Sequence, residues 1–447
     1  SADLTAAMLL LMLARPPARA LLTSATSSLD QKKGLLPSRM VALRSAACSL
    51  SIAERIGTVG FEEAKRVAVT EKWPGTLLVD EFLERSGVIS PPAASEAPAT
   101  SEACTPLLID VRAPCEYAKG HIPGAISLPL FTDEERAVVG TLYKREGHAV
   151  AVRKGLKLVS AKWPALLDAL PAALPDDADL YVYCFRGGMR SGGMAWLLSQ
   201  ALPGRVHTLA GGYKRFRNWA IERWEEPRPV TVLCGRTGTG KTDVLVALRD
   251  ALGAQVLDLE GEAHHRGSIF GALGRPPQPS NEHYENLLAL QWAHFSPAAP
   301  VFIEDESRNV GSCGVPPGLW SMMRGEQGRS LRLDVPRSSR VERLVGEYGV
   351  YPPEELAACV RGLRKRLGGQ KSDALAAALE AEPPALAEVA DALLEHYYDG
   401  MYNHQMKEKG GHDTVVESDT GDALVNARLV LEAASALWED ATPTGGA

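Results

Sequence analysis

The stretch Tyr181–Ser191, YVYCFRGGMRS, decides how this chain is read. Leu180–Tyr183 is an apolar run of strand length, and Gly192–Leu198 has the pattern of the helix that follows it. Between them stand Cys184, then Gly187 and Gly188, then Arg190. A loop from a strand end into a helix N-terminus turns backbone N–H groups towards its centre, and the helix dipole adds positive potential there. Paired glycines let such a loop close without Cβ clashes. A cysteine held in it has its thiolate favoured, and the thiolate is the nucleophile. Arg190 adds a planar donor fork for a tetrahedral oxyanion. Cys184 and Arg190 are therefore the expected catalytic pair, with Arg186, Gly187, Gly188 and Ser191 completing an anion cradle. The competing reading is a buried structural cysteine ahead of a glycine turn. It does not explain Cys-x5-Arg with two internal glycines.

Outward from this loop, the length of 447 residues calls for two or three domains. Hydrophobic residues make up 45 % and charged residues 23 %, as in ordinary globular proteins. A net charge of −7 excludes a global basic field, so any RNA site must be a local patch. Seven cysteines with no CxxC pair argue against a zinc site or a disulfide framework, and no metal centre is expected. Residues 1–90 read as an N-terminal extension. Its first fifty carry Arg15, Arg19, Lys32, Lys33, Arg39 and Arg44 against Asp3 and Asp30, the composition of a transit peptide. A disordered extension is the alternative, so an organellar and a cytoplasmic location both stay open. The apolar run Ala6–Ala14 is too short to span a bilayer, and no membrane partner is expected. Residues 91–106, PPAASEAPATSEACTP, form a low-complexity linker.

Residues 107–226 read as one α/β domain. Strands are expected at Leu107–Asp110, Ile126–Leu128, Leu180–Tyr183 and Val206–Leu209, and helices at Asp133–Tyr143, Trp163–Leu170 and after GGYKRFRNWA. Alternating strands and helices imply a parallel sheet, with the Cys184 loop at a strand C-terminal end, where such sheets place their sites. Asp110–Arg112, Glu116, Gly120–Ala125 (GHIPGA), Gly211–Gly212 and Phe216 resemble the rhodanese family. An ordinary sulfurtransferase loop is one residue shorter. The longer loop is similar to that of dual-specificity phosphatases, so a phosphatase competes on this loop alone.

Residues 227–440 read as a second α/β domain with a helical C-terminal part. Pro229–Cys234 is an expected strand, GRTGTGKT follows at Gly235–Thr242, and Asp243–Leu252 is the next helix. This is a complete G-x-x-x-x-G-K-[ST] in strand–loop–helix context. Gly235, Gly238 and Gly240 open the backbone to a diphosphate, Lys241 reaches a terminal phosphate, and Thr242 can hold Mg2+. No cofactor is expected to be tightly bound. A P-loop selects a polyphosphate without naming it, and no base-recognition signature is visible. Val301–Glu304 is an expected strand ending in acids, which makes Asp305 a candidate metal or phosphate partner. Gln255–Leu257 is another strand, and DLEGEAHHRGSIFG after it offers His265 and Arg266 for RNA contact. Tyr284–Trp292 reads as a core helix. Arg361, Arg364, Lys365, Arg366 and Lys371 are spaced for one basic helix face suited to a phosphate backbone, or merely a solvated face. In HYYDGM, His396–Met401, the tyrosines can stack on a base or pack internally.

A rhodanese-like module followed directly by a P-loop module is a specific pairing. With CFRGGMRS, GGYKRFR, GRTGTGKT, DLEGEAHHRGSIFG, YENLLA, EDESRNVGS, RKRLG and EHYYDGMY, the chain resembles the tRNA 2-selenouridine synthase family from about Leu107 to Met406. The resemblance implies a tRNA partner carrying 2-thiouridine at the wobble position. It implies S-geranylation from geranyl diphosphate, then displacement of the geranylthio group by selenium from selenophosphate. On that footing the P-loop holds the diphosphate and Cys184 carries selenium as a selanyl adduct. Two alternatives stay open: a sulfurtransferase fused to a P-loop kinase or ATPase, and a phosphate-binding regulatory module with degenerate sites.

Overall fold

A computed structural model describes residues 75–89, 106–168, 178–408 and 414–439. The basic segment 1–50 and the linker up to residue 105 lie outside the described residues. Among described residues the chain packs as two compact units. One takes in residues up to Ser86, those within 102–114, and Ile126–Tyr213; the other takes in those from Gly87, Cys115–Ala125 and Lys214 onward.

In the first unit the strands are β1 (Thr76–Leu77), β2 (Leu107–Asp110), β3 (Ile126–Ser127), β4 (Leu180–Tyr183) and β5 (Val206–Leu209). They form a parallel sheet in the order β1-β5-β4-β2-β3. Every residue of β4 is buried, because helices cover both faces of a parallel sheet and its central strand must be apolar throughout. Ile109, Leu180 and Val182 pack with Val159, Leu166, Met194 and Leu198 into one core. The helix Asp133–Arg145 begins with a reciprocal cap: Thr132 Oγ1 accepts from the Glu135 amide at 3.3 Å, and Glu135 accepts from the Thr132 amide at 2.9 Å.

The expected extension 1–90 is corrected at its end. Thr76–Leu77 pairs in parallel with Thr208–Leu209 as an edge strand, and the helix Val79–Arg85 buries Phe82 and Leu83 completely. Burying two large apolar side chains contributes about 3–6 kcal/mol in transfer free energy, enough to bind this segment to the sheet.

The second unit is built on β6 (Val230–Cys234), β7 (Gln255–Leu257), β8 (Val301–Glu304), a hairpin of β9 (Asn309–Val310) and β10 (Cys313–Gly314), β11 (Gly328–Asp334) and β12 (Thr414–Glu417). Its main sheet is parallel, in the order β12-β11-β6-β8-β7. The C-terminal part is therefore not wholly helical. After the helices between Arg337 and Glu408 the chain returns as β12, and the helix Ala423–Glu439 packs Ala427, Val430 and Ala434 against the helix Lys241–Asp250. The expected single basic helix over Arg361–Lys371 is also corrected. It is three helices, Pro353–Gly362, Arg364–Leu367 and Gly369–Leu379, and Gly368 at φ +84° makes the second break in a conformation that glycine adopts without strain.

Cys115–Ala125 lies against the helix Asn281–His294. Asn286 Nδ2 donates to the His121 carbonyl at 3.0 Å, Lys119 pairs with Glu282 at 3.0 Å, and His121 stacks between Tyr117 and His283. Burial, with His121 and His264 nearby, pulls His283 down from 6.5 to about 4. The unfolded chain then binds this proton more readily than the folded one. Stability is full above about 6.5, falls as pH drops below it, and the loss is complete near 4. His283→Phe keeps the ring stack and removes that proton site. Unfolding free energies from denaturant titration at pH 7 and pH 4.5 are expected to differ less for the variant than for the unmodified protein. Equal differences would show that His283 does not titrate in this way.

Candidate active site

Two loops, one per unit, hold the residues expected to carry the chemistry. In the first unit β4 ends at Tyr183 and the helix Met189–Ala201 begins five residues beyond Cys184. Cys184 is buried, and its Sγ lies 3.2 Å from Ser191 Oγ, which in turn donates to the Gly188 carbonyl at 3.2 Å. The serine thus holds the sulfur at the head of the helix. Arg190 is half-buried in the first helical turn, and Arg186, Gly187 and Gly188 are exposed on the loop.

The backbone beneath this loop is closely packed. A Cβ on Gly212, at φ +59°, would stand 2.2 Å from the Cys184 carbonyl oxygen and 2.4 Å from the Gly187 nitrogen. A Cβ on Gly187, at φ +64°, would stand 2.5 Å from the Leu209 carbonyl oxygen. Only glycine fits either position, which is the physical content of the two glycine pairs. The Tyr213 amide donates to the Cys184 carbonyl at 2.8 Å. Under the same tyrosine lies a pair that sequence reasoning left without a role. Arg112 is 2 % exposed, Asp110 is fully buried, and the guanidinium holds the carboxylate at distances of 2.6 to 3.0 Å while stacking 3.8 Å from the Tyr213 ring centre. The DVR spacing was the available signal.

In the second unit Gly235–Thr242 follows β6 and opens the helix Lys241–Asp250. Gly238 and Gly240 take φ +84° and +82°. A Cβ on Gly235 would stand 2.8 Å from Thr239 Oγ1, so the first glycine is required by closeness instead of by conformation. Lys241 Nζ donates to the Gly235 carbonyl at 3.0 Å, folding the side chain across the loop. Thr242 Oγ1 donates to Glu260 at 3.1 Å. Two arginines from the helix Arg337–Tyr348 brace the loop. Arg340 donates to the Thr237 carbonyl at 3.2 Å while gripping Asp399 through two hydrogen bonds of 2.8 Å, and Arg343 pairs with Asp243 at 2.6 Å beside Gly240. Neither was legible before folding, since they are a hundred residues from the motif they brace.

Acids collect on the same side. Glu304 accepts from the Glu260 amide at 2.7 Å, and its other carboxylate oxygen is buried with no hydrogen-bond partner. Burial, with Asp258 and Glu260 nearby, pushes Glu304 well above the usual carboxylate range. Burial and Glu260 push Glu306 up to about 8, and burial raises Glu260. With Glu306 holding its proton at neutral pH, less of the Lys241 charge is offset locally. Asp305 pairs with Arg324 at 2.7 Å.

The residues read as RNA contacts are placed as follows. His265 Nδ1 accepts from the Gly267 amide at 3.1 Å, and Arg266 pairs with Glu347 at 2.9 Å. Arg361 grips Glu380 at 2.7 and 2.8 Å, Arg364 pairs with Asp373, Arg366 donates to the Tyr397 hydroxyl at 2.5 Å, and Lys365 is exposed. Tyr398 is buried in the helical core. Among the described residues no helix is long and apolar enough to cross a membrane.

Comparison with known proteins finds two modules in this chain. The rhodanese-like domain model matches residues 93–218, and the model of the tRNA 2-selenouridine synthase AAA domain matches residues 228–357. A tRNA 2-selenouridine synthase of Shewanella piezotolerans is 35 % identical over 335 residues, 68 % of this chain and 89 % of that protein. That of Aeromonas salmonicida is 38 % identical over 68 % of this chain and 88 % of its own length, and that of Bordetella bronchiseptica 35 % over 69 % and 93 %. Among solved structures, a gluconokinase from Sinorhizobium meliloti matches at 15 % identity with a TM-score of 0.24, over 48 % of this chain and 97 % of that one. With both modules matched in order and relatives aligned over most of their own length, the chain belongs to the tRNA 2-selenouridine synthase family.

Proposed function

We propose that this chain converts 2-thiouridine at the wobble position of tRNA to 2-selenouridine through an S-geranyl intermediate. The observation that carries the reading is that one chain holds two complete anion-binding loops, each at the C-terminal end of a parallel strand. In the first step the thiocarbonyl sulfur attacks C1 of geranyl diphosphate. The C–O bond breaks, the N3 proton passes to solvent, and diphosphate leaves into the P-loop, where Lys241 and the loop amides stabilise it. In the second step the selenium of selenophosphate, held at the Cys184 loop, attacks C2 and geranylthiolate leaves; water then cleaves the Se–P bond, releasing phosphate and 2-selenouridine. Arg190 and the loop amides hold the selenophosphate oxygens. Alkylating sulfur first turns a poor leaving group into a good one, which is the chemical reason for joining the two loops. Thr242 and Glu260 supply the oxygen donors that Mg2+ would require if it accompanies the diphosphate.

The test is nucleoside mass analysis of 2-thiouridine tRNA after incubation with the full chain, geranyl diphosphate and selenophosphate. The expected products are the S-geranyl nucleoside and then 2-selenouridine. ATP hydrolysis that needs no RNA, with the nucleoside unchanged, would favour a sulfurtransferase joined to an ATPase.

The basic segment at 361–371 yields a separate expectation. Changing Arg364 and Arg366 to Ala is expected to weaken tRNA binding and to reduce the slope of log K against log salt by about one unit for each phosphate no longer neutralised. Titrations at four salt concentrations measure it. An unchanged slope would assign both arginines to their partners Asp373 and Tyr397 alone.

A further inference from the structure

A cavity of about 560 Å3, its open mouth counted, lies in the second unit beside the P-loop. Its walls are the apolar side chains of the C-terminal helices, among them Leu356, Val360, Leu379 and Leu393, with Phe270 from the loop after β7. Polar lining is sparse. Thr237 comes from the P-loop itself, and Ser268 with the hydroxyls of Tyr348 and Tyr398 makes up the rest. Cradle and cavity share a wall: a Cβ on Gly238 would stand 3.3 Å from Leu344 Cδ1, and Leu344 lines the cavity. Water in such a space would find few partners. A nucleotide base would leave its hydrogen-bonding edge unmatched against aliphatic walls. What fits an apolar cavity beside a phosphate cradle is one molecule with an anionic head and a hydrocarbon tail.

We propose that this cavity receives the hydrocarbon chain of a prenyl diphosphate whose head the P-loop holds, and that its lining sets the chain length accepted. The proposal rests on the reading of the P-loop as a diphosphate cradle. Two lining positions are half-buried: Ala390, where bulk would enter the cavity, and Leu386, where truncation would enlarge it.

The test is calorimetric titration of the full chain with inorganic diphosphate, dimethylallyl diphosphate, geranyl diphosphate and farnesyl diphosphate. Geranyl diphosphate is expected to bind about a hundredfold more tightly than inorganic diphosphate, with the dimethylallyl compound between them. Ala390→Phe is expected to weaken geranyl diphosphate about tenfold or more and to leave inorganic diphosphate unchanged. Leu386→Ala is expected to shift preference towards farnesyl diphosphate, and it keeps the proposal testable if Ala390→Phe does not fold. Equal binding of geranyl and inorganic diphosphate to the unmodified protein would overturn the proposal. So would an Ala390→Phe variant that melts normally and binds geranyl diphosphate undiminished. Lys241→Ala separates the two ideas. If it loses both ligands while the Ala390 and Leu386 variants change nothing, the cavity assignment fails and the cradle stands. If Lys241→Ala loses neither, the cradle reading fails.

Discussion

Lys241→Ala is expected to leave 2-thiouridine as the product, whereas Cys184→Ala is expected to accumulate the S-geranyl nucleoside. The lysine side chain folds across the P-loop, 3.0 Å from the Gly235 carbonyl, and is the cation positioned to meet a departing diphosphate. Removing one preorganised stabiliser of a leaving group costs about 10²–10³ in rate. The Cys184 sulfur belongs to the other unit, where Ser191 holds it. Its removal should therefore spare the first step. Pre-geranylated tRNA should rescue Lys241→Ala and fail to rescue Cys184→Ala. Nucleoside mass analysis of each reaction distinguishes the outcomes. A Cys184→Ala protein that folds, binds tRNA and yet fails to geranylate would place the cysteine in a site shared by both steps. Ser191 offers a finer probe of the same loop. Ser191→Ala removes the hydroxyl that holds the sulfur at 3.2 Å and should slow selenation without touching geranylation.

The largest expected effect on stability comes from Arg112→Ala. It leaves the Asp110 carboxylate buried without the guanidinium that grips it, and breaking a buried pair from one side costs about 3–5 kcal/mol. The damage should reach the chemistry. Arg112 stacks on Tyr213, and the Tyr213 amide holds the Cys184 carbonyl. Arg112→Lys keeps a charge but has neither the planar fork nor the stack, so it should fall between Arg112→Ala and the unmodified protein. Denaturant unfolding measures the first effect and the rate of selenation the second. A shift below about 1 kcal/mol for Arg112→Ala would mean that Asp110 finds other partners when the guanidinium is gone.

Most strands were legible as soon as the chain was read. Leu107–Asp110, Leu180–Tyr183, Val206–Leu209, Gln255–Leu257 and Val301–Glu304 form with the bounds expected from the sequence. Short runs rich in apolar and β-branched residues, bounded by turn residues, carry that signal. Both loops were legible for a related reason. Their function depends on backbone geometry, and backbone geometry demands glycine at fixed positions next to the reactive side chain.

What stayed hidden depends on partners distant in the chain. The helix His148–Ser160 buries Ala151, Gly155 and Val159, and Gly155 is small because the Phe131 ring lies against it. A face made of small residues carries little hydrophobic signal. Strand β12, TVVE, has one buried residue and is a strand because β11 is there to pair with it. The brace of Arg340 and Arg343, the meeting of Glu260, Glu304 and Glu306, and the cavity beside Thr237 arise the same way. Local pattern determines which segments become strands, helices and phosphate loops, because those choices are settled by neighbours a few residues away. Which charges face each other, and where space is left empty, depends on the order in which parallel strands are laid down, and that order is decided by burial summed over the whole unit.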